Sequence, residues 1–501
     1  MEILEHGDDL FVTCCQPGDP DIRNLVHMFM GRTVYKNSPR VRVENNVVNR
    51  IVLGLDPLGY QKESMDILNE SWKDPLLDDY QRVDIQKGAG LICHLNRNKM
   101  GLGKTLEAIK IMKVWQVQSA VIVAPKNVCP QWVTEIQKWY PEASESVGLY
   151  DFKAPIVITN YEKLLQPASL NSLRNYRRDV AIFDEIHYLK NRGSQRTNAS
   201  LQIPAKARIG LTGTPILRHP DDLWSILNVL DWHYSGKSYW NFVNYFCNVV
   251  DGYFGREIQG VTKNESRLAI LHKLLSIVSL HNDITVGCGK RTVEINLPMD
   301  KEQIELYKKI KKLILDELPE NCTITNGAVL VMRLQQTTSW PGLFETKSRG
   351  AKFNWIETFC KGTDEQIVVF TKFEKTARAL ATFLTTKEIK NVLYTGQISD
   401  KQKQLNKAKF IRREVQVFIG TIAAVGTGTD GLQEVSRLGI MLEKDWSPEI
   451  NVQCEDRLNR RGQKLPVMWY YLNCEKSFDQ RVGKINLSKA DAIRAALEVN
   501  A

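Results

Sequence analysis

The chain lacks any apolar run long enough to cross a bilayer; the longest, such as Ala120 to Pro125, stop within a few residues. Met1 to Phe11 carries acidic residues where an export signal needs basic ones and an apolar stretch. Both absences read as a soluble, intracellular protein with no membrane partner. Ten cysteines are present, yet none form a CxxC pair or a zinc-ligand spacing, and adjacent Cys14 and Cys15 suit neither a disulfide nor a zinc knuckle. They read as reduced thiols. No low-complexity linker and no single-sign charge block occurs. The net charge of +10 is spread over 67 basic and 57 acidic residues, a mild bias compatible with nucleic acid but not diagnostic of it. What remains is 501 residues with 43% hydrophobic and 25% charged content, an ordinary globular composition for two or three domains.

Two stretches share one grammar: a short run rich in β-branched residues, a turn, then a helical pattern. The first holds Ala120–Ala124, Ile156–Thr159, Val180–Phe183 and Arg208–Leu211; the second holds Ile367–Phe370, Val415–Gly420, Gly439–Leu442 and Met468–Leu472. Runs apolar on both faces and alternating with helices predict parallel sheets covered on each side, hence an α/β fold of two lobes with a cleft between them. Residues 233–348 read as a helical insertion, with Ile304, Leu306, Ile310, Leu313 and Ile314 at helical spacing. Residues 1–70 read as a small N-terminal α+β domain. It carries Arg32, Lys36, Arg40, Arg42 and Arg50, a strand at Val41–Val43, a turn at Asp56–Gly59 and an amphipathic helix through Met65, Ile67 and Leu68. The lobes are then residues 71–232 and 349–501.

The strongest local signal is Met100-Gly101-Leu102-Gly103-Lys104-Thr105 at the head of a helical run. Glycines let successive N–H groups point inward around phosphate oxygens, and the helix adds its positive end. Lys104 would reach the β- and γ-phosphates of ATP, and the Thr105 hydroxyl would ligate magnesium. A chance Gly-rich turn is the plainer explanation, and Asn98 stands where the general pattern has its first Gly. Next comes Ile182-Phe183-Asp184-Glu185-Ile186-His187, a strand delivering two carboxylates at its carboxyl end. Asp184 suits a magnesium ligand and Glu185 a base for the attacking water; alone, such a pair is usually a helix cap. Arg457 and Arg460, three apart, would share a helix face. They are candidates for arginine fingers on the γ-phosphate, against the usual solvated face.

With these residues in view the sequence resembles the Swi/Snf-type ATPases of helicase superfamily two, from about Asp78 to Leu472. Asp79-Tyr80-Gln81-Arg82 looks like the adenine-reading segment, with Gln81 as base contact. Ala124-Pro125-Lys126 with Trp132, and Thr159-Asn160-Tyr161-Glu162, match the next two motifs. Leu211-Thr212-Gly213-Thr214-Pro215 is similar to the segment coupling nucleotide state to lobe movement, with His187 as a partner. Arg333 to Gln336 with Trp340-Pro341, Val369 to Phe373, Gly426 to Leu432 with Gly428 and Asp430, Asp445 to Pro448, and Gln453 to Gln463 continue the series. The resemblance implies two RecA-like lobes and an ATPase driven along duplex DNA, using Lys126, Asn160 and Gln453 as coupling or DNA contacts. Two departures stand out: Asn98-Lys99 replaces an Asp-Glu pair, and His281-Asn282-Asp283 replaces an Arg-rich segment.

Gly426-Thr427-Gly428-Thr429-Asp430-Gly431 also satisfies the GxGxxG dinucleotide fingerprint, but no clear helix opens after it. No chromatin-reading module resembles anything after the second lobe. The expected function is therefore fork or four-way-junction remodelling and branch migration by sequence-independent backbone contacts. Residues 1–70 would be either an extra grip on the branch or a cap on the first lobe. Alternatives are an ATPase that displaces bound proteins without separating strands, an RNA helicase, and a metabolic P-loop kinase. The expected location is the cytoplasm or nucleoid of a bacterial or phage-infected cell, or a nucleus if eukaryotic.

Overall fold

The computed structural model describes residues 2–13, 28–34, 40–61, 63–213, 220–252, 255–282, 284, 288–316, 324–425 and 429–482. Lys36, Thr214 and Gly428 lie outside the described residues. The described chain divides after Ile284 into two compact units. Stretch 233–348 is therefore shared, supplying helices and strands to each.

The first unit opens with a four-stranded antiparallel sheet in the order β1 (Glu2–His6), β2 (Asp9–Thr13), β4 (Arg40–Glu44), β3 (Arg32–Val34). Strict alternation in β4 turns Val41 and Val43 onto Leu10, Val12 and Phe29, and leaves Arg40 and Arg42 exposed. Arg42 pairs with Asp9 at 2.8 Å. Arg50 is buried: its guanidinium donates to Glu5 Oε2 and Asn45 Oδ1, both at 3.0 Å, and to the Asp56 carbonyl. It holds the small domain together and cannot serve as an exposed grip. The turn at Asp56–Gly59 forms, with Gly59 N–H donating to Asp56 O at 3.1 Å.

The helix expected through Met65, Ile67 and Leu68 does not form. The segment runs as a strap whose Leu68 N–H and Asn69 Nδ2 donate to the carbonyls of Val114 and Lys113, at 3.0 and 2.7 Å. These carbonyls lie at a helix end, where the last C=O groups lack i+4 partners, and the strap is extended to reach them. Ile67 and Leu68 stay exposed.

A seven-stranded, fully parallel sheet forms the main body of this unit. Its order is β13 (Ser279–Leu280), β5 (Cys93–Asn96), β10 (Ala205–Leu211), β9 (Arg178–Asp184), β6 (Ala120–Ala124), β8 (Ile156–Asn160), β7 (Val147–Leu149). Between β10 and β13 lie several helices and an antiparallel hairpin, β11 (Cys247–Gly252) with β12 (Gly255–Val261). Helix α1 (Val47–Val52) sends Val47 and Val48 into the same core as Leu271, Leu274 and Phe242, so the small domain shares apolar interior with the lobe.

The second unit is a six-stranded parallel sheet. Its order is β14 (Lys290–Leu297), β19 (Val467–Cys474), β18 (Ser436–Met441), β15 (Gln366–Thr371), β17 (Val417–Thr421), β16 (Asn391–Tyr394). The fold is thus α/β with two parallel-sheet lobes, intervening helices and a small N-terminal α+β region. Among the described residues no helix is long and apolar enough to cross a membrane.

Candidate functional site

Parallel strands deliver their following loops to one edge, and the register of the first sheet makes this concrete. Leu211 pairs with both Asn96 and Asp184, while Ala124 pairs with Asn160 and lies one residue beyond the Val123–Phe183 pair. The phosphate loop, Lys126, Asn160, the Asp184-Glu185 pair and Thr212 therefore leave the sheet at one level.

The loop between β5 and the helix Lys104–Val114 needs glycine: Gly101 and Gly103 sit at φ +82° and +84°. Lys104 Nζ donates to the carbonyls of Asn98 and Lys99 at 2.9 and 3.3 Å. Gln81 and Tyr80 donate to Leu102 O at 3.1 and 2.9 Å, and Gln81 also accepts from Asp78 N–H. Gln81 is thus buried as a brace of the loop and of its own helix (Asp79–Ala89). Met100 lies against Gly213, where an added Cβ would meet its Cγ at 3.1 Å.

At the end of β9, Asp184 Oδ2 accepts from the Trp132 indole N–H at 2.9 Å and Oδ1 from Glu185 N–H at 3.0 Å. Tyr161 donates its hydroxyl to Asp184 O at 2.8 Å. Burial first, then the Glu185 carboxylate, hold the Asp184 carboxyl above the usual carboxylate range; Trp132 and the Lys104 ammonium pull it back. Glu185 takes a left-handed backbone, φ +50°, and its Oε2 lies 3.2 Å from His187 Nδ1. That nitrogen is also 3.0 Å from the Thr212 hydroxyl. Phosphate loop, acidic pair, His187, Thr212 and Gly213 are brought together. Asn160 caps a turn by accepting from Lys163 N–H at 2.7 Å, and Lys126 is exposed beyond β6.

Local patterns gave no hint of a buried polar cluster behind the loop. Asn98 Nδ2 donates to Asp84 Oδ2 at 2.7 Å and to Glu107 Oε2 at 3.0 Å, and Asn96 Nδ2 donates to Glu107 Oε2 at 2.5 Å. Burial pushes the Glu107 carboxyl up to about 8. Asn282 joins the cluster, so the two departures from the family pattern touch each other.

In the second unit, the helix expected to carry Arg457 and Arg460 on one face ends at Glu455. Turns follow, with Arg457 N–H on Cys454 O at 3.1 Å and Gln463 N–H on Arg460 O at 3.1 Å. Leu458 is driven into the core and Gly462 adopts φ +97°, so helical periodicity is lost. Arg457 is buried, as is Gln453, while Arg460 pairs with Asp430 Oδ1 at 3.0 Å. After Gly431 comes one short turn, Leu432–Glu434, and then β18; the helix that a dinucleotide fingerprint requires is not there.

A Gly-Lys-Thr loop from parallel strand to helix, beside an acidic pair ending another strand of that sheet, defines a P-loop nucleotide-binding protein. The SNF2-related domain model matches residues 60–343 and the helicase conserved C-terminal domain model residues 351–462. The former covers more than half of the chain, which belongs to the SNF2-related family, the Swi/Snf type of helicase superfamily two. Among curated relatives, the DNA annealing helicase and endonuclease ZRANB3 of Homo sapiens is 26% identical over 420 residues, 78% of this chain and 38% of that protein. The ISWI chromatin-remodeling complex ATPase ISW2 of Saccharomyces cerevisiae is 24% identical over 468 residues, 81% of this chain and 39% of that one. The chain spans well under half the length of these relatives. The Sulfolobus solfataricus SWI2/SNF2 ATPase core in complex with dsDNA aligns over 87% of this chain and 100% of its own, at 21% identity and TM-score 0.38.

Proposed function

We propose that the chain is a DNA-dependent ATPase that moves on duplex or branched DNA, remodelling forks or four-way junctions and migrating branches. The observation that carries this reading is the convergence of Lys104, the Asp184-Glu185 pair and the His187–Thr212 contact on one edge of one sheet. Loop N–H groups and Lys104 would bind the phosphates, and Glu185 would take the proton of the attacking water. Thr105 and Asp184 offer hard oxygen donors. With those two donors, magnesium would take its other ligands from phosphate and water. When bound, that ion neutralises phosphate charge. His187, Thr212, Gly213 and Thr214 would sense the γ-phosphate, with Gln81, Gly428 and Asp430 at the nucleotide. Lys126, Asn160 and Gln453 would serve coupling or DNA contact. For Arg457 and Arg460 we retain charge compensation at the γ-phosphate.

The likeness to an annealing helicase supports a branched substrate; the likeness to ISW2 supports the second reading, displacement of bound proteins without strand separation. ATP turnover measured side by side with duplex, single-stranded, forked and four-way DNA tests both. Stimulation should be strongest on branched forms and fall steeply with salt. Equal rates with and without DNA would remove the motor reading. Stimulation without unwinding of forked substrates would favour protein displacement.

A further inference from the structure

The polar cluster behind the phosphate loop reaches the exit of the first unit. Asn282 lies two residues before Ile284, where the chain passes to the second unit. Its backbone N–H donates to Asn98 Oδ1 at 2.7 Å, and its Nδ2 donates to Asp84 Oδ2 at 2.6 Å. The adjoining residues are tied to the same loop: Arg97 N–H donates to Leu280 O and Arg97 Nε to Ser279 Oγ, both at 2.9 Å. Asn98 is fully buried and Asp84 nearly so. Breaking such bonds strands polar groups away from water, so residues 97–98 and 279–282 must move together rather than slide.

Phosphate binding requires none of these exit contacts. Yet the Asn98 peptide faces both ways, with its carbonyl accepting from Lys104 Nζ at 2.9 Å and its side chain accepting from Asn282. A phosphate drawing on the Lys104 ammonium therefore acts on the backbone of the residue whose side chain anchors the exit segment. We infer that the Asn98–Asn282–Asp84 contact is the mechanical link carrying nucleotide occupancy from the phosphate loop to the segment leading into the second unit. Asn282 is its positioning residue. This rests on the ATP-binding reading above.

Hydrogen–deuterium exchange of the full chain, with and without ATPγS and magnesium, tests the link. In the wild type the nucleotide should slow exchange over 98–110 and alter it over 276–282. Asn282→Asp is isosteric but sets an acceptor against Asp84, so the nucleotide effect on 276–282 should shrink about fivefold or more, the lower end of measured site-to-site couplings. Protection of 98–110 should persist. Loss of the response at 276–282 with 98–110 still protected is a split that a general folding defect would not give. If Asn282→Asp does not fold, Asn282→Ala is read the same way. An undiminished response at 276–282 in the variant overturns the link. So does wild-type protection of 98–110 with no change at 276–282, which leaves ATP binding standing. Absence of protection at 98–110 removes the ATP reading and the link with it.

Discussion

Trp132 is buried without any exposure, and its indole N–H is spent on Asp184. In the proposed role of Asp184 as a magnesium ligand, an outer partner of this kind orients the carboxylate. Trp132→Phe keeps the volume and removes the donor, so the magnesium concentration for half-maximal ATP turnover should rise about tenfold, the usual effect of losing such a partner; a magnesium titration measures it. Glu185→Gln should lower turnover by about two to four orders of magnitude, the range for removing a general base, while nucleotide still binds. Unchanged turnover would remove Glu185 from the chemistry. The placement of Lys104, Asp184 and Glu185 was legible because one opens a helix and the others stand at the end of a strand. Asn98 and Asn282 were visible only as separate oddities, since their hydrogen bond joins residues 184 apart in sequence.

The strand β5 shows how an element can hide. Its residues, Cys-His-Leu-Asn, contain no β-branched side chain, yet all four are buried. Its Asn96 is buried against Glu107, so apolar patterning could not reveal it. The edge strands β7, β13 and β16 escaped because two to four residues carry too little periodicity. The eight longer runs were legible because burial on both faces demands uninterrupted apolar sequence. The arginine segment misled because spacing of three also fits successive turns.

Burial pushes the His94 imidazole of β5 down to about 4, with Lys87 adding in the same direction. A folded value below the ordinary 6.5 means the stability tied to neutral His94 is complete above about pH 6.5 and is lost as pH falls through 4. His94→Leu should flatten the fall in unfolding temperature between pH 7 and 4.5; an unchanged slope would show that other groups control acid unfolding.

For the whole molecule, the shared core of Met30, Val47 and Val48 with Leu271 and Phe242 means that residues 1–70 are part of the first unit's interior. Deleting them should lower its unfolding temperature and impair every activity, whatever their role in DNA binding. Arg40→Gln with Arg42→Gln changes two exposed side chains of β4 and gives up only the surface pair of Arg42 with Asp9. It should leave unfolding temperature within a few degrees, as surface changes usually do, and weaken binding to forked DNA if this sheet is a grip. Unchanged fork affinity in the folded variant leaves capping as its role.

The pairing of β14 with β19 joins Lys290 to Val467 and Leu297 to Cys474. A ribosome emitting this chain completes the first sheet once Leu280 has emerged, whereas each residue of β14 waits for a partner 177 positions later (467 − 290 and 474 − 297). At the usual pace of synthesis that delay is roughly ten to thirty seconds. During it β14 presents an unpaired edge, and a nascent chain stalled in that window should be the form most in need of a chaperone.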